Sequence, residues 1–195
     1  MAPRRSLVLT DPLAMRALAH PLRLRLLRLV RQRGPITGSE LAPLVGESTA
    51  SVSYHLSTLA KHGFIEPDPM PGPTKRHKPW RAAFDTVSTV SDASDTPIPE
   101  TVEGALLSAV LTETRAQQDA YVSHAHELSP EWRDVGMFSH DGLALLPAEV
   151  EELGAELQTV LDRWKDERAA RVMHEGAGWV SVAVVAVPMV EEVAP

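Results

Sequence analysis

Between Thr37 and Gly63 the chain alternates helix start and stop signals so closely that two short helices joined by a tight turn are the arrangement that satisfies them. Thr37 and Glu40 are spaced as a capping box, in which each side chain satisfies an orphan backbone N–H of a helix start. Leu41, Leu44 and Val45 give that helix an apolar stripe, and Gly46 ends it by supplying the left-handed conformation needed past a helix terminus. Ser48 is placed to cap a second helix whose Val52, Leu56 and Leu59 share one face, with Gly63 as its stop. The opposite face carries Ala50, Ser51, Ser53, Tyr54, Ser57, Thr58 and Lys61, and no acid stands between Ser48 and Lys61. A solvated helix face normally holds Glu and Lys at i, i+4 spacing. Small hydroxyls without acids suit entry into a major groove, because they allow close approach and bond either base edges or phosphates. The candidate DNA-contact residues of this helix are Ser48, Thr49, Ala50, Ser51, Ser53, Tyr54, His55 and Ser57.

The flanking sequence completes a winged helix-turn-helix. Asp11-Pro12 starts a first helix with a cap and a proline at its first position. His20-Pro21 breaks it, and a second helix is predicted from Pro21 to Arg33 with Leu22, Leu26, Leu29 and Val30 inward. Arg23, Arg25, Arg28 and Arg31 fall around its remaining surface and are expected to be mostly solvated. Gly34-Pro35 ends the helix, and Ile36 is expected to add a short edge strand. Phe64-Ile65-Glu66, the turn-rich Pro67 to Thr74 and a return strand to Phe84 read as a hairpin wing. Lys75, Arg76 and Lys78 crowd its exit and are the phosphate-contact candidates, with Trp80 expected as a lid on the domain core. Pro3, Arg4 and Arg5 form a short basic tail.

Three stretches carry a family resemblance: Ala17, His20, Pro21 and Arg23; then Ser39-Glu40-Leu41-Ala42; then Ser53-Tyr54-His55-Leu56 with Leu59. Over residues 11–84 the chain resembles the DNA-binding domain of the ArsR-like winged-helix repressors. The resemblance implies a repressor that dimerises through helices outside the helix-turn-helix. In one respect it departs from that family. Many members sense metals through cysteine thiolates, and this chain has no cysteine.

Charge divides the chain in two. Residues 1–85 hold 13 Lys and Arg against 6 Asp and Glu, net +7, whereas residues 86–195 hold 6 against 20, net −14. Local positive charge is what neutralises phosphates, and it lies in the half with the helix-turn-helix. The acidic half is expected to point away from DNA and to serve dimerisation or sensing. The expected organisation is a winged helix-turn-helix domain over 1–85, a linker over 86–98 and a dimerisation and effector domain over 99–195. The fold class is α+β: the N-terminal winged helix-turn-helix, a long dimerisation helix, and a small C-terminal α+β unit. No apolar run reaches membrane-spanning length, and Met1 to Ser6 lacks a signal-peptide core, so a soluble cytoplasmic protein is expected.

In the C-terminal half a helix is predicted from Pro97-x-Pro99 to about Leu128, with Val102, Leu106 and Val110 as the candidate dimer seam. Val135 to Leu145 reads as a strand. Pro147 opens an amphipathic helix carrying Val150, Leu153, Leu157, Val160, Leu161 and Trp164. Trp179 to Val187 is a β-branched run with the mark of a buried strand, expected to pair with Met137 to Leu145. Tyr121, Trp132, Phe138 and Trp164 are the candidate walls of a site for a small organic effector, since aromatic walls suit an apolar ligand. His124 and His126 point in different directions on a helix and do not make a metal site. No phosphate-cradling loop, nucleophile elbow or paired-carboxylate motif stands out, so neither catalysis nor a cofactor is expected. The expected function is a dimeric repressor binding double-stranded DNA at an inverted repeat. The alternative is a sensing or protein-interaction module whose DNA binding is weak or lost.

Overall fold

A computed structural model of the chain describes residues 6–69, 78–84, 86–88, 100–169 and 177–189. Two compact units divide it, one over residues 2–122 and one over 123–195.

The first unit runs β1 (Ser6–Val8), α1 (Pro12–Leu18), α2 (Pro21–Arg33), α3 (Gly38–Val45), α4 (Thr49–Lys61), β2 (Ile65–Pro67), β3 (Trp80–Ala82), β4 (Thr86–Ser88) and α5 (Glu100–His124), whose last turn crosses the unit boundary. Local chemistry sets each helix start. The Asp11 carboxylate accepts from the Leu13 N–H at 2.9 Å, and the Thr37–Glu40 capping box is complete in both directions. Ser48 Oγ accepts from the Ser51 N–H at 3.1 Å. Gly46 ends α3 at φ 73°, where an L side chain would be strained.

The sheets are small. β2 and β3 pair antiparallel with Glu66 opposite Arg81, and Ile36 bridges to Trp80, so the edge strand expected at Ile36 is present. Trp80 is partly buried against the core, as a lid would be. β1 pairs in parallel with β4, so residues 86–88 of the expected linker are strand. Beneath these elements lies one apolar core in which Leu26, Leu41, Val52, Leu56, Leu59, Phe64 and Ile65 are almost wholly enclosed.

Helix α5 corrects one expectation. Val102 and Leu106 of the proposed dimer seam are buried in this same core, and the Glu113 carboxylate one turn beyond Ala109 meets Arg28 of α2 at 3.0 Å. Val110, the third seam residue, points away and is exposed, together with Leu107 and Leu111. An apolar stripe reports that a helix face is covered without saying by what, and here the chain's own core covers it.

The second unit holds a 3-10 turn (Ala125–Glu127), α6 (Pro130–Arg133) and α7 (Pro147–Ala169). Helix α7 follows the predicted amphipathic pattern, with Val150, Leu153, Leu157 and Leu161 half-buried on one side and Val160 and Trp164 exposed. The expected strands are absent: neither the stretch 135–145 nor Trp179–Val187 is in a ladder. A β-branched run meets the steric requirements of a strand, but a strand exists through hydrogen bonds to a neighbour. Among the described residues of this chain neither stretch has a ladder partner. The mixed α+β class therefore rests on the strands of the first unit. No described helix is long and apolar enough to cross a membrane.

Candidate nucleic-acid interface

Helix α4 is fixed from below and open above. Val52, Leu56 and Leu59 anchor it in the core, while Ser48, Thr49, Ala50, Ser53, Tyr54 and Ser57 are exposed. Ser51 and His55 are half-buried, so the structure gathers the candidate residues of this helix on one outward surface whose inner margin those two form. Tyr54 stands out furthest, 68 % exposed. Two hydroxyls of α4 are turned onto its own backbone: Ser57 donates to the Ser53 carbonyl at 2.8 Å and Thr58 to the Tyr54 carbonyl at 3.1 Å.

At the inner margin of this surface His55, a candidate from the sequence, lies beside His20 and Arg23, two of the residues that carry the family resemblance. The His55 ring lies 4.8 Å from that of His20 and 5.3 Å, edge-on, from that of Tyr54. His20 Nδ1 accepts from the Leu22 N–H at 3.2 Å and so caps α2, which places the proton of its neutral ring on Nε2. Among the described residues, the buried atoms Nδ1 of His55 and Nε of Arg23 find no hydrogen-bond partner. Burial holds the Arg23 guanidinium below its ordinary pKa, opposed by the nearby Tyr54. Burial also lowers the His55 pKa, reinforced by His20 and Arg23 and opposed by Glu47. The ring therefore stays neutral at neutral pH, a donor and acceptor beside Tyr54 and not a fixed charge.

The arginines of α2 are more committed than their spacing suggested. Arg25 donates to the Leu44 carbonyl at 2.8 Å and the Val45 carbonyl at 3.5 Å, closing the C-terminal end of α3 where the helix dipole favours a cation. Arg28 bonds Glu113 and Gln32, and Arg31 lies over the Phe84 ring at 5.8 Å. The expectation of a solvated arginine face is thus corrected for Arg25 and Arg28, which bind α2 to α3 and α5, whereas Arg31 is exposed. The His20 cap of α2, by contrast, had a signal in His20-Pro21, a polar side chain immediately before a first-position proline.

In the wing, Lys78 is exposed beside β3, and Arg81 is engaged with Glu66 at 2.9 Å. Lys75 and Arg76, like Pro3, Arg4 and Arg5, lie outside the described residues.

Residues 18–68 match the family model of a helix-turn-helix domain. The chain carries a helix-turn-helix domain. Its matched span runs from the end of α1 through the first strand of the wing, and such a domain points to a DNA-binding regulator. No curated protein matches the chain.

The four aromatic effector candidates are divided between the units. Tyr121 is half-buried on α5 in the first. In the second, Trp132 of α6 lies against the backbone of Gly178, where an added Cβ would meet its ring at 2.9 Å, while Phe138 and Trp164 are exposed. A shallow groove of about 390 Å³ runs elsewhere, along α5 past Gly104, Leu107 and Leu111. Among the described residues it is lined by that helix alone, with no opposing wall for a small ligand.

Proposed function

We propose that this protein is a sequence-specific regulator of transcription that binds double-stranded DNA in the cytoplasm as a dimer, acting as a repressor at an inverted-repeat operator. The observation that carries this reading is the outward surface of α4: exposed, hydroxyl-rich and free of acids, with Arg23 near Tyr54 and His55 at its inner margin. Short hydroxyls and Tyr54 would read base edges in the major groove, while the wing lysines and Arg76 would lie on phosphates. A lone domain of this kind reads few base pairs, and two copies on half-sites about one helical turn apart supply the selectivity. The resemblance to ArsR-like proteins supports the repressor assignment, and the lack of cysteine sets this chain apart from members that sense metals through thiolates. An organic effector would then act through the second unit, where Trp132 and Trp164 lie. No catalytic step is assigned to any residue.

Selection of fragments of the source genome on the purified full chain tests this directly. Recovery of a common inverted repeat is the expected result. Recovery without sequence preference, or no retention at low salt, would overturn it.

A further inference from the structure

We infer that Trp179–Val187 pairs as an antiparallel strand with the same residues of a second copy of this chain. The inference rests on the dimeric reading proposed above and goes beyond it by placing the contact.

Four observations lead there. In the unit over 123–195 no described residue is buried, so the described helices and the stretches between them lack a core of their own. Segments of that size are stable only when enough apolar surface is covered. The nine residues from Trp179 are the most apolar part of this unit, yet Trp179 is 61 % exposed, Val182 62 % and Val187 66 %.

Their backbone groups form no hydrogen bond with any described residue, which leaves both edges of the stretch able to accept a neighbour. Charge indicates which neighbour. Exposed edges are ordinarily guarded by charged side chains, but no charged residue stands between Glu175 and Glu191, in a half of the chain that is otherwise strongly acidic. Along this stretch two acidic halves can meet without opposing carboxylates.

The pattern is also self-complementary. In the register that pairs the whole run, Ala183 faces Ala183, Val182 faces Val184, Ser181 faces Val185, Val180 faces Ala186 and Trp179 faces Val187. Larger residues mostly meet smaller ones, and both strands contribute identically, as a two-fold contact requires. Pro188, which has no N–H to donate, ends the ladder, and Gly178, held beneath Trp132, precedes it.

The absence of cysteine makes the test clean. Full-length Ala183→Cys protein, mildly oxidised at low concentration, should give a covalent dimer, because the paired Cα atoms would lie within the roughly 7 Å a disulfide can span. Ser181→Cys should not, since its two copies would be about 14 Å apart along the strands. Cross-linking at neither position, or equally at both, overturns the inference. Sedimentation of a Val182→Asp, Val184→Asp variant is a second test. Both side chains are exposed within the chain, so the winged helix should stay folded and the protein should become monomeric. A variant that remains dimeric places the interface elsewhere, with the exposed α5 residues Leu107 and Leu111 the next position to substitute, and overturns the inference. Failure to bind any DNA fragment would instead count against the proposed function, while strand pairing is judged by the cross-link and the sedimentation together.

Discussion

Truncation of Leu106 distinguishes a helix that belongs to the winged-helix core from one reserved for a partner. Leu106 is 8 % exposed and lies in the core cluster with Val102, whereas its neighbour Leu107 is 51 % exposed. Leu106→Ala removes three buried carbon atoms, worth about 2.4 kcal/mol at ~0.8 kcal/mol each, and the residual cavity raises the cost to about 3 kcal/mol. For a unit of roughly 120 residues, at about 4 °C per kcal/mol, the melting temperature should fall by about 12 °C. Leu107→Ala should stay within about 0.5 kcal/mol of the parent, or ~2 °C. Thermal melts of the full-length proteins by circular dichroism, with sedimentation of the folded material, measure both effects. If Leu106→Ala melts with the parent but loses its dimer, α5 is not part of this core, and the assignment of its inward face is wrong.

Three further substitutions probe the DNA-facing unit. Arg25→Ala should cost about 1.5 kcal/mol, the lower end for a charged hydrogen bond because the site is half-exposed, and should weaken DNA binding; urea unfolding and a binding titration check the two effects separately. Lys78→Ala should lower affinity for all sequences alike and reduce the salt slope by about one, while Tyr54→Ala should change which operator is preferred; the reverse assignment would exchange the roles of wing and helix. His55 has a folded-state pKa below its ordinary value of about 6.5, so its contribution to stability is complete above that pH. It is lost as pH falls through the lower, folded-state value, because the unfolded chain binds the proton more readily. Denaturation of the wild type and of His55→Gln across this range should show a shallower acid loss in the variant, and parallel curves would sink the argument.

What the sequence made legible was local. Asp11, Thr37 with Glu40, and Ser48 act within three residues of themselves, so spacing alone specifies their bonds, and the buried stripes of α2 and α4 follow from a period of 3.6. The same logic placed Ile36 against the wing. It did not find the partners of Arg25 and Arg28, which lie on α3 and α5, because a charge on a helix surface carries no record of what folds over it. Nor could it pair β1 with β4 across the intervening domain. The run Trp179–Val187 shows the converse failure. Its composition has the β-branched content of a strand, but propensity cannot supply the second strand, and within one chain that strand is missing among the described residues. For the candidate site, the outward hydroxyls of α4 were readable from periodicity, while the His20–His55 contact and the unbonded Nε of Arg23 required three dimensions.

The hydroxyls of Ser57 and Thr58, folded back onto carbonyls of their own helix, have a consequence for how such a protein changes over time. Each is already satisfied without DNA and contributes little to holding the domain together, since exposed helix positions tolerate Ser, Thr or Ala within a few tenths of a kcal/mol. The residues that brace α4 from below, Val52, Leu56 and Leu59, are a separate set. Foldedness and operator preference are therefore written in different letters of the same helix. A lineage can substitute the outer letters one at a time, shifting the regulated genes, without passing through an unstable intermediate.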